Sequence, residues 1–595
     1  MNNKIVSKEQ LVDVALGALP ADIVIKGGNL VNVLTREIYK ADIVIFGNRV
    51  AATGACDYQV SPDTKVIDAS GKWIAPGFMD PHMHLESTAI TVTELAKRIV
   101  PRGVTTVVED PHEFANVLGV KGIKLFFEEA KGLPLRFLLR VPGHVPAMPP
   151  EIETSGAEIT VEETKELLGW DEAVQLAGDI NPELILSKDP EQFEKIDCTI
   201  RLNKTVGGQS PALQGSALNA FIAAGPEDSH VSFNLDEVMD IQRHGLKAIL
   251  TPKPFLFGPE NYGELAELIK EKNIDIRNIM FCTDDRQSDY LYRSGHLDGV
   301  VRLAIERGIE PVTAIQMATI NVAEHLRLDR DFGSIAPGKI ADLMILDDLE
   351  TISVSMVLVD GEIVAENGCL VTPPPAFEYP AWAKDTVHLP KSVKPEDLQI
   401  RVAEESGTAK ARVLVAGVPK EMEVKELRVE GGVVMPDETG DILSMAVLER
   451  HKNTGNIGRA FIRGTGICDG AIAGSVSHDA HNIYVIGTNY EYMALAANRV
   501  AEMGGGFAAV KAGEIVAQIE LPIGGLISEE PLETVAGKFE YLEKEILQKG
   551  LNCTLQGFPL FTLSVISLPN IPNWGITDKG LIEVRTMRHM DPICE

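Results

Sequence analysis

The sequence predicts an α/β fold: a (β/α)8 barrel with a small β-sandwich built from flanking segments and an extra C-terminal α/β domain. About eight short apolar runs alternate with helical patterns over about 250 residues, which is the signature of such a barrel. Alternating, strand-like sequence stands on both sides of this region, and a proline run precedes a glycine-rich C-terminal stretch. An open doubly wound sheet is the alternative, but no glycine-rich dinucleotide fingerprint follows any of the runs.

Length and charge limit the function classes. At about 100–200 residues per domain, the 595 residues predict three or four domains. Hydrophobic residues are 45% and charged residues 24%, as in ordinary globular proteins, so wholesale disorder is excluded. The formal net charge of −31 repels phosphate backbones and anionic lipid. We therefore expect a small-molecule partner and neither a nucleic-acid nor a membrane partner.

The cysteines and the N-terminus predict a cytoplasmic protein. The 7 cysteines are scattered without close pairs, which favours a reducing compartment over a disulfide framework. The N-terminal residues lack the apolar core of a signal peptide. No apolar run is long enough to span a bilayer.

Changes in the spacing of apolar residues along the chain set the predicted domain boundaries. Residues 1–75 together with 333–372 alternate like strands and form the small β-sandwich. Residues 76–332 form the catalytic barrel. Residues 373–380 form a stiff linker that begins with Pro373-Pro374-Pro375. Residues 381–595 form the C-terminal domain.

Within the barrel region, the predicted strands are short apolar runs. They are 77–80, 104–109, 137–141, 167–172, 199–206, 224–230, 247–251 and 279–284. Helical patterns between them cover 122–130, 213–223, 235–244 and 263–272. Ionisable residues gather where the runs end. In a barrel, those strand ends converge on the mouth that holds the active site.

His82 and His84 follow the first run. In an extended segment, residues two apart point the same way, so both imidazoles can bind one cation. A polar turn is the alternative interpretation. Asp284 closes the last run, where a carboxylate can bind the same metal and move protons; alternatively, it caps the next helix, a role that Asp285 could also fill.

Three further residues end other runs. Glu172 and His230 can belong to a two-metal centre, with the carboxylate as a bridge; the alternatives are a surface glutamate and a loop histidine. His112, after Asp110-Pro111, could contact substrate or steer a proton; alternatively, it is exposed at a helix start. In the C-terminal domain, His478, Asp479 and His481 form a dense polar cluster. It is either a second metal site or, as we favour, a loop ordered at a domain or subunit interface.

A set of motifs, which follow one another in order along the chain, resembles the motifs of a known superfamily. Pro76–His84 resembles the entry motif of the amidohydrolase superfamily, and Ala336–Leu343 resembles the segment that returns such chains to their sandwich. More specifically, the sequence resembles the bacterial and archaeal adenine deaminase family from about residue 20 to the end. The motifs that carry this resemblance are His84–Ser87, Val108–Glu113, Glu153–Ala157, Phe281–Arg286, Ser475–Asn482 and Leu521–Leu526.

The resemblance implies a metal-dependent barrel and a set of site residues. The metal would be manganese or iron, with zinc as a third option, as one or two ions per chain. Metal ligands would be His82, His84, Glu172, His230 and Asp284. Catalytic residues would be Asp284, Glu172 and His112, and substrate contacts would come from Glu86, Ser87, Asp110 and Asp285.

The implied reaction is hydrolytic deamination of adenine to hypoxanthine and ammonia by a metal-activated hydroxide, in purine salvage, by a homo-oligomer. Two departures qualify the ligand set. Gln209 stands where the family has a ligand histidine, unless the alignment is shifted and His144 fills the gap, and Val231 follows His230 where the family has glutamate. A hydrolase of another heterocycle or cyclic amide, or a purine-binding relative without turnover, therefore stays open as an alternative.

Overall fold

The fold is described from a computed structural model that covers 6–177, 182–210, 213–253, 256–417, 420–555, 558–569 and 573–594. Two residues of the Gln209 segment, Pro211 and Ala212, lie outside these described residues. All seven cysteines carry free thiols. Within the described ranges, no helix is long and apolar enough to cross a membrane.

The two segments that flank the barrel, for which the sequence predicts a small β-sandwich, join in one nine-stranded sheet. Five strands come from the N-terminal segment and four from the segment after the barrel. They are Ile23–Asn32, Glu37–Phe46, Arg49–Gly54, Lys65–Asp68 and Trp73–Pro76, then Leu343–Asp348, Ser353–Val359, Glu362–Glu366 and Cys369–Leu370. The two segments meet where Trp73–Pro76 pairs antiparallel with Leu343–Asp348. Helix Lys8–Ala15 packs on this sheet beside Arg49–Gly54.

Eight short parallel strands build the barrel and carry the polar residues to one mouth. In order they are Phe78–His84, Val104–Glu109, Arg136–Val141, Ala173–Leu176, Thr205–Val206, Asp228–Ser229, Lys247–Leu250 and Ile279–Phe281. The extension Asp284–Asp285 pairs parallel with the end of the first strand and closes the ring. Between the fifth and sixth strands, the Glu227 N–H donates to the Val206 carbonyl at 2.8 Å.

Helices alternate with these strands around the barrel. The helices between residues 85 and 325 are Leu85–Thr88, Val92–Ile99, His112–Ala130, Val161–Leu168, Pro182–Leu186, Pro190–Arg201, Gly215–Ala223, Leu235–Arg243, Asn261–Lys272, Ser288–Ser294, Leu297–Glu306, Pro311–Met317 and Ile320–His325. Short 3-10 turns occupy Val100–Arg102 and Ile276–Asn278. Side-chain caps from Thr91, Thr160, Asp189 and Asn234 begin four of the helices.

Three predicted strands begin too early in the chain. The run 167–172 is the end of helix Val161–Leu168 and a turn, and the strand follows at Ala173–Leu176. The runs 199–206 and 224–230 are strand only at Thr205–Val206 and Asp228–Ser229. In each case the early part of the run consists of apolar residues on the buried face of a helix or in the turn after it. A short apolar run does not distinguish a buried helix segment from a buried strand, so these residues were included in the predicted strand.

The C-terminal domain contains a nine-stranded, mostly antiparallel sheet. Its strands, in spatial order, are Val433–Val434, Glu421–Glu430, Ser406–Val415, Ile457–Arg463, Ile442–Leu448, Ile483–Gly487, Gly470–Gly474, Gly506–Lys511 and Glu514–Glu520. A small sheet of Trp574–Thr577, Gly580–Glu583 and Arg588–Met590 stands beside it. The helical segments are Ala381–Lys384, Pro395–Leu398, Glu438–Gly440, Tyr490–Glu502, Leu532–Glu540, Tyr541–Gly550 and Pro559–Ile566.

The barrel and the C-terminal domain share one apolar core. A single cluster of buried side chains includes Phe114 and Phe126 of the barrel and Leu526 and Phe507 of the C-terminal domain. At Gly524 the contact is so close that an added Cβ would lie 2.4 Å from the Phe114 ring. This packing holds the C-terminal domain over the mouth of the barrel, next to the start of helix His112–Ala130.

Candidate metal-dependent active site

His82 and His84 lie at the end of the first barrel strand, as the sequence predicts. Both are buried, and their ring centroids are 4.6 Å apart. The His84 Nδ1–H donates to the Asp110 carbonyl at 2.9 Å. This bond leaves the Nε2 lone pair of His84 directed into the barrel mouth, which is the orientation that a metal ligand needs.

Asp284 brings a carboxylate to the two histidines. Its Oδ1 is 3.9 Å from His82 Nε2 and 3.6 Å from His84 Nε2. The next helix, Ser288–Ser294, has Gln287 at its N-cap, so neither Asp284 nor Asp285 acts as that cap. The structure thus favours the metal-site interpretation of Asp284 over the capping one.

His230 and Gln209 stand on the other side of His82. His230 follows the sixth strand directly, is buried, and its ring centroid is 4.1 Å from that of His82. The Gln209 amide nitrogen is 3.3 Å from His230 Nε2. The glutamine therefore stands beside the cluster, where an imidazole in its place would also face His230.

The pKa is lowered for two of the site histidines and raised for a third. Burial lowers the pKa of His82 well below its usual value and lowers the pKa of His230 to about 4, so both rings are neutral and can donate a lone pair. Burial also opposes charge on His84, but Asp285, Asp110 and Asp284 outweigh it and raise its pKa to about 8. Asp110 is buried as well, yet His112 and His84 hold its pKa at about 2.

Lys253 is a site residue that the sequence reasoning missed. Its Nζ lies 2.9 Å from Asp284 Oδ1 and 2.8 Å from Asp285 Oδ2, and the side chain is buried. It lies three residues after the seventh strand, Lys247–Leu250, at the same mouth of the barrel as His82 and Asp284.

A second buried polar layer lies between strands deeper in the barrel. The Asp228 carboxylate accepts hydrogen bonds from Gln175 at 2.6 Å and contacts His325 Nε2 at 2.6 Å. The Arg140 guanidinium is fully buried, 3.8 Å from Asp228. This layer keeps the Asp228 pKa far below its usual value, mainly through His325, and it supports His230 from two residues away.

The four predicted substrate contacts are all buried or partly buried at the mouth. Ser87 Oγ donates to Asp285, which also binds Lys253. Glu86 accepts the Phe114 N–H at 2.7 Å, and burial together with the charge of Glu113 raises its pKa to about 7. Asp110 stands between His82 and His112. The structure brings these residues to one place but does not test their contact with substrate.

His112 is buried and begins helix His112–Ala130, so the exposed alternative was wrong. Its Nδ1 is 3.5 Å from Asp110 Oδ1. Its Nε2 is 3.9 Å from Asp479, which the C-terminal domain supplies. The cluster of His478, Asp479 and His481 thus lies at a domain interface, as favoured from the sequence, and it faces the barrel mouth.

Glu172 does not join the cluster, and its assignment as a bridging ligand and catalytic residue was wrong. It is exposed and precedes the fourth strand, Ala173–Leu176, whose opposite end reaches the mouth. Its carbonyl accepts the Leu139 N–H at 2.9 Å, in the middle of the third strand. The misplaced run 167–172 caused the error, because it put the strand end where the strand begins.

We predict that Glu172→Gln leaves the catalytic rate and the metal content of the protein unchanged. The substitution removes one exposed charge at the end of the barrel away from the cluster. Steady-state assays and elemental analysis of the two proteins measure both quantities. A large loss of either would return Glu172 to the site.

The donor set fits a divalent metal. His82, His84 and Asp284 present ligand atoms within 4.8 Å of one another, and all three are buried. Neither ring nitrogen of His82 has a hydrogen-bond partner among the described residues, although both are inaccessible to water. Unpartnered buried nitrogens are costly unless something else binds them. Imidazole and carboxylate together suit manganese, iron and zinc.

A barrel of this kind, with a histidine–carboxylate cluster at its mouth, defines a metal-dependent hydrolase. The sequence model of the amidohydrolase family matches residues 73–197 and 217–364, and that of the adenine deaminase C-terminal domain matches 418–588. The chain belongs to the adenine deaminase family of amidohydrolases, which is shown by relatives that match nearly its whole length.

Three curated relatives illustrate the match. An adenine deaminase of Mesorhizobium japonicum is 40% identical over 98% of this chain and 96% of its own length. Adenine deaminase 3 of Rhizobium meliloti is 40% identical over 97% of this chain and 96% of its own. An adenine deaminase of Clostridium botulinum is 38% identical over 96% of this chain and 95% of its own.

Proposed function

We propose that this protein deaminates adenine hydrolytically to hypoxanthine and ammonia, in purine salvage. The observation that carries the proposal is the convergence of His82, His84, His230 and Asp284 at the barrel mouth of a chain 40% identical to curated adenine deaminases. The alternatives raised from the sequence, another heterocycle or a binder without turnover, have no comparable support.

His82, His84 and Asp284 would hold the first divalent ion, and His230 would contribute to a second. We propose manganese or iron, with zinc as a third option. The bound metal supplies a Lewis acid that lowers the pKa of water from 15.7 to about 7, so that a nucleophile exists at neutral pH. His84 is held for this task by its bond to the Asp110 carbonyl.

Asp284 moves the proton of the reaction. Water oxygen forms a bond to the purine carbon that bears the amino group, and Asp284 accepts the proton released from that water. The carboxyl then gives the proton to the amino nitrogen, the carbon–nitrogen bond breaks, and ammonia leaves. Lys253, 2.9 Å from the same carboxylate, fixes its orientation. A proton shuttle of this type contributes about 10²–10⁴-fold in rate.

A cavity beside this carboxylate lies between the barrel and the C-terminal domain, and its lining suits a planar base. Polar groups line one side, with Lys253 and Asp285 nearest the metal cluster, and Phe558, Phe561 and Tyr290 supply aromatic walls. Such a mixture of apolar walls and a few polar groups is typical of small-molecule sites.

We predict that Phe561→Ala raises KM for adenine by about 2- to 10-fold, which corresponds to the ~0.5–1.5 kcal/mol of an aromatic contact, with a smaller effect on kcat. The Phe561 ring lies 5.4 Å from Lys253 Nζ, at the inner wall of the cavity. Phe561→Leu is the matched control, since it keeps apolar bulk without a ring. If both variants keep the wild-type KM, the base does not bind against this wall.

The glutamine at position 209 leads us to expect that the two metal sites bind their ions with unequal affinity. A glutamine oxygen is a weaker ligand than imidazole for manganese, iron or zinc. We therefore expect one tightly held ion and one weak ion per chain, and Gln209→His should raise occupancy of the second site next to His230. Elemental analysis of both proteins after dialysis measures this. Two tightly held ions in the wild type, with no change in the variant, would show that Gln209 is not a lost ligand.

The cellular setting is part of the proposal. Free thiols at all seven cysteines and the acidic surface support a cytoplasmic protein that binds a purine base and neither nucleic acid nor membrane. We also propose a homo-oligomer, which light scattering of the purified protein would test.

Ammonia release from a panel of purines, with manganese-loaded full-length protein, tests the function. We expect release from adenine in preference to guanine, adenosine and cyclic ureides. Tight adenine binding without ammonia would indicate a binder, and faster release from another compound would change the substrate.

A further inference from the structure

One loop of the C-terminal domain reaches into the barrel mouth, and its backbone is firmly anchored. Ser475 Oγ donates to the Gly525 carbonyl at 2.6 Å, and Ser477 Oγ bonds Ser567 Oγ at 2.7 Å. On the far side, Asn482 Nδ2 donates to the Thr154 carbonyl of the barrel domain at 2.8 Å. A loop held at both ends can place its middle residues with the accuracy that catalysis requires.

Asp479, in the middle of this loop, begins a row of alternating carboxylates and imidazoles. Its Oδ1 is 3.9 Å from His112 Nε2, and His112 Nδ1 is 3.5 Å from Asp110 Oδ1. The other oxygen of Asp110 is 3.9 Å from His82 Nδ1. Every member is buried, so these charges act on each other with little screening by water.

The same loop also contacts the residue after His112. His478 Nδ1 is 3.1 Å and His481 Nε2 is 3.6 Å from the Glu113 carboxylate. The Ser477 N–H donates to His481 Nδ1 at 3.2 Å, so the proton of a neutral His481 ring is on Nε2, facing Glu113. That nitrogen then offers no lone pair to a metal, and the arrangement is one of donors around a carboxylate.

We propose that Asp479 is a positioning residue of the active site, which acts through His112 and Asp110 on the metal ligands His82 and His84. The proposal rests on the proposed deaminase activity and gives the C-terminal domain a part in it. His112 lies between two carboxylates, which fixes its ring. Asp110, in turn, is held where its carbonyl binds His84 and its carboxylate faces His82.

Groups that orient metal ligands in this way have measurable effects. Losing an outer partner of a ligating histidine typically costs about 10–100-fold in metal affinity or activity. We expect a loss in this range from Asp479→Asn, which keeps the shape of the side chain but removes its charge. The loss should appear in kcat and in manganese affinity, with little change in KM.

A double-mutant cycle tests the proposal on the full-length protein. The variants are Asp479→Asn, His112→Asn and the double variant, with Asp469→Asn as the control. Asp469 is an exposed carboxylate of the same domain, so its variant should match the wild type. Because Asp479 acts through His112, its substitution should cost little more once His112 is gone, and the two losses should not add. Asp479→Glu should recover part of the loss.

Manganese titration, followed by electron paramagnetic resonance, separates this inference from the proposed function. If the wild type does not deaminate adenine, the function fails, while a non-additive loss of manganese affinity still supports the positioning role. If adenine is deaminated and Asp479→Asn has the same kcat and manganese affinity as Asp469→Asn, the inference is overturned.

Full additivity of the two losses in the double-mutant cycle also overturns the inference. Should Asp479→Asn fail to fold, the Asp479→Glu variant decides: a loss of kcat and manganese affinity smaller than that of His112→Asn supports the positioning role, and either no loss or a loss equal to that of His112→Asn contradicts it.

Discussion

Asp284→Asn should lower the rate of adenine deamination by about 10²–10⁴-fold while the protein stays folded. The amide preserves the shape of the carboxyl but cannot accept the proton of water or return it to the amine. Asp284 also lies 3.6 Å from His84 Nε2, so the change should weaken the metal as well. Rate, melting temperature and metal content measured on one preparation distinguish these effects.

The matched control is Asp171→Asn, the same substitution at an exposed position before the fourth barrel strand. It should leave all three measurements at wild-type values. An Asp284→Asn variant that keeps more than about a tenth of the rate would remove Asp284 from the proton-transfer role, given the usual size of that effect.

Removal of the C-terminal domain should abolish activity. A fragment of residues 1–372 loses Asp479, the aromatic walls Phe558 and Phe561, and the apolar partners of Phe114. We expect it to expose apolar surface, bind a hydrophobic dye and aggregate. Sedimentation and dye binding measure this, and co-expression with residues 373–595 should restore a soluble, active complex.

Cleavage at the linker cuts the chain at the same place but keeps both parts in solution. Pro373 and its neighbours are exposed, so limited proteolysis should cut there. Because the two parts share one core, we expect the nicked halves to stay associated and active. A monomeric 1–372 fragment with full activity would show that neither Asp479 nor the aromatic walls contribute to catalysis.

The position of ionisable residues at the ends of predicted strands indicated which side chains meet at the barrel mouth. His82, His84, His230 and Asp284 lie at or just beyond the ends of barrel strands, and the mouth brings together residues far apart in the chain. This inference failed at Glu172, where apolar residues of a helix and its turn were taken for a strand. An error of only a few residues along the chain moved that carboxylate from one end of the barrel to the other.

The contribution of the C-terminal domain could not be derived from the sequence. The spacing of His478, Asp479 and His481 shows a polar cluster but not what it faces, because the contact depends on packing between domains. Lys253 was missed for a different reason: a cation is not expected among metal ligands, yet it pairs with two carboxylates of the site.

Oxygen-isotope labelling tests the central claim most directly. Manganese-loaded protein is incubated with adenine in water enriched in ¹⁸O, and the product is analysed by mass spectrometry together with the ammonia released. The account predicts hypoxanthine that carries one ¹⁸O atom, an equal amount of ammonia, and loss of both when His82 and His84 are replaced by asparagine. Adenine recovered unchanged by a metal-loaded, folded protein would contradict it.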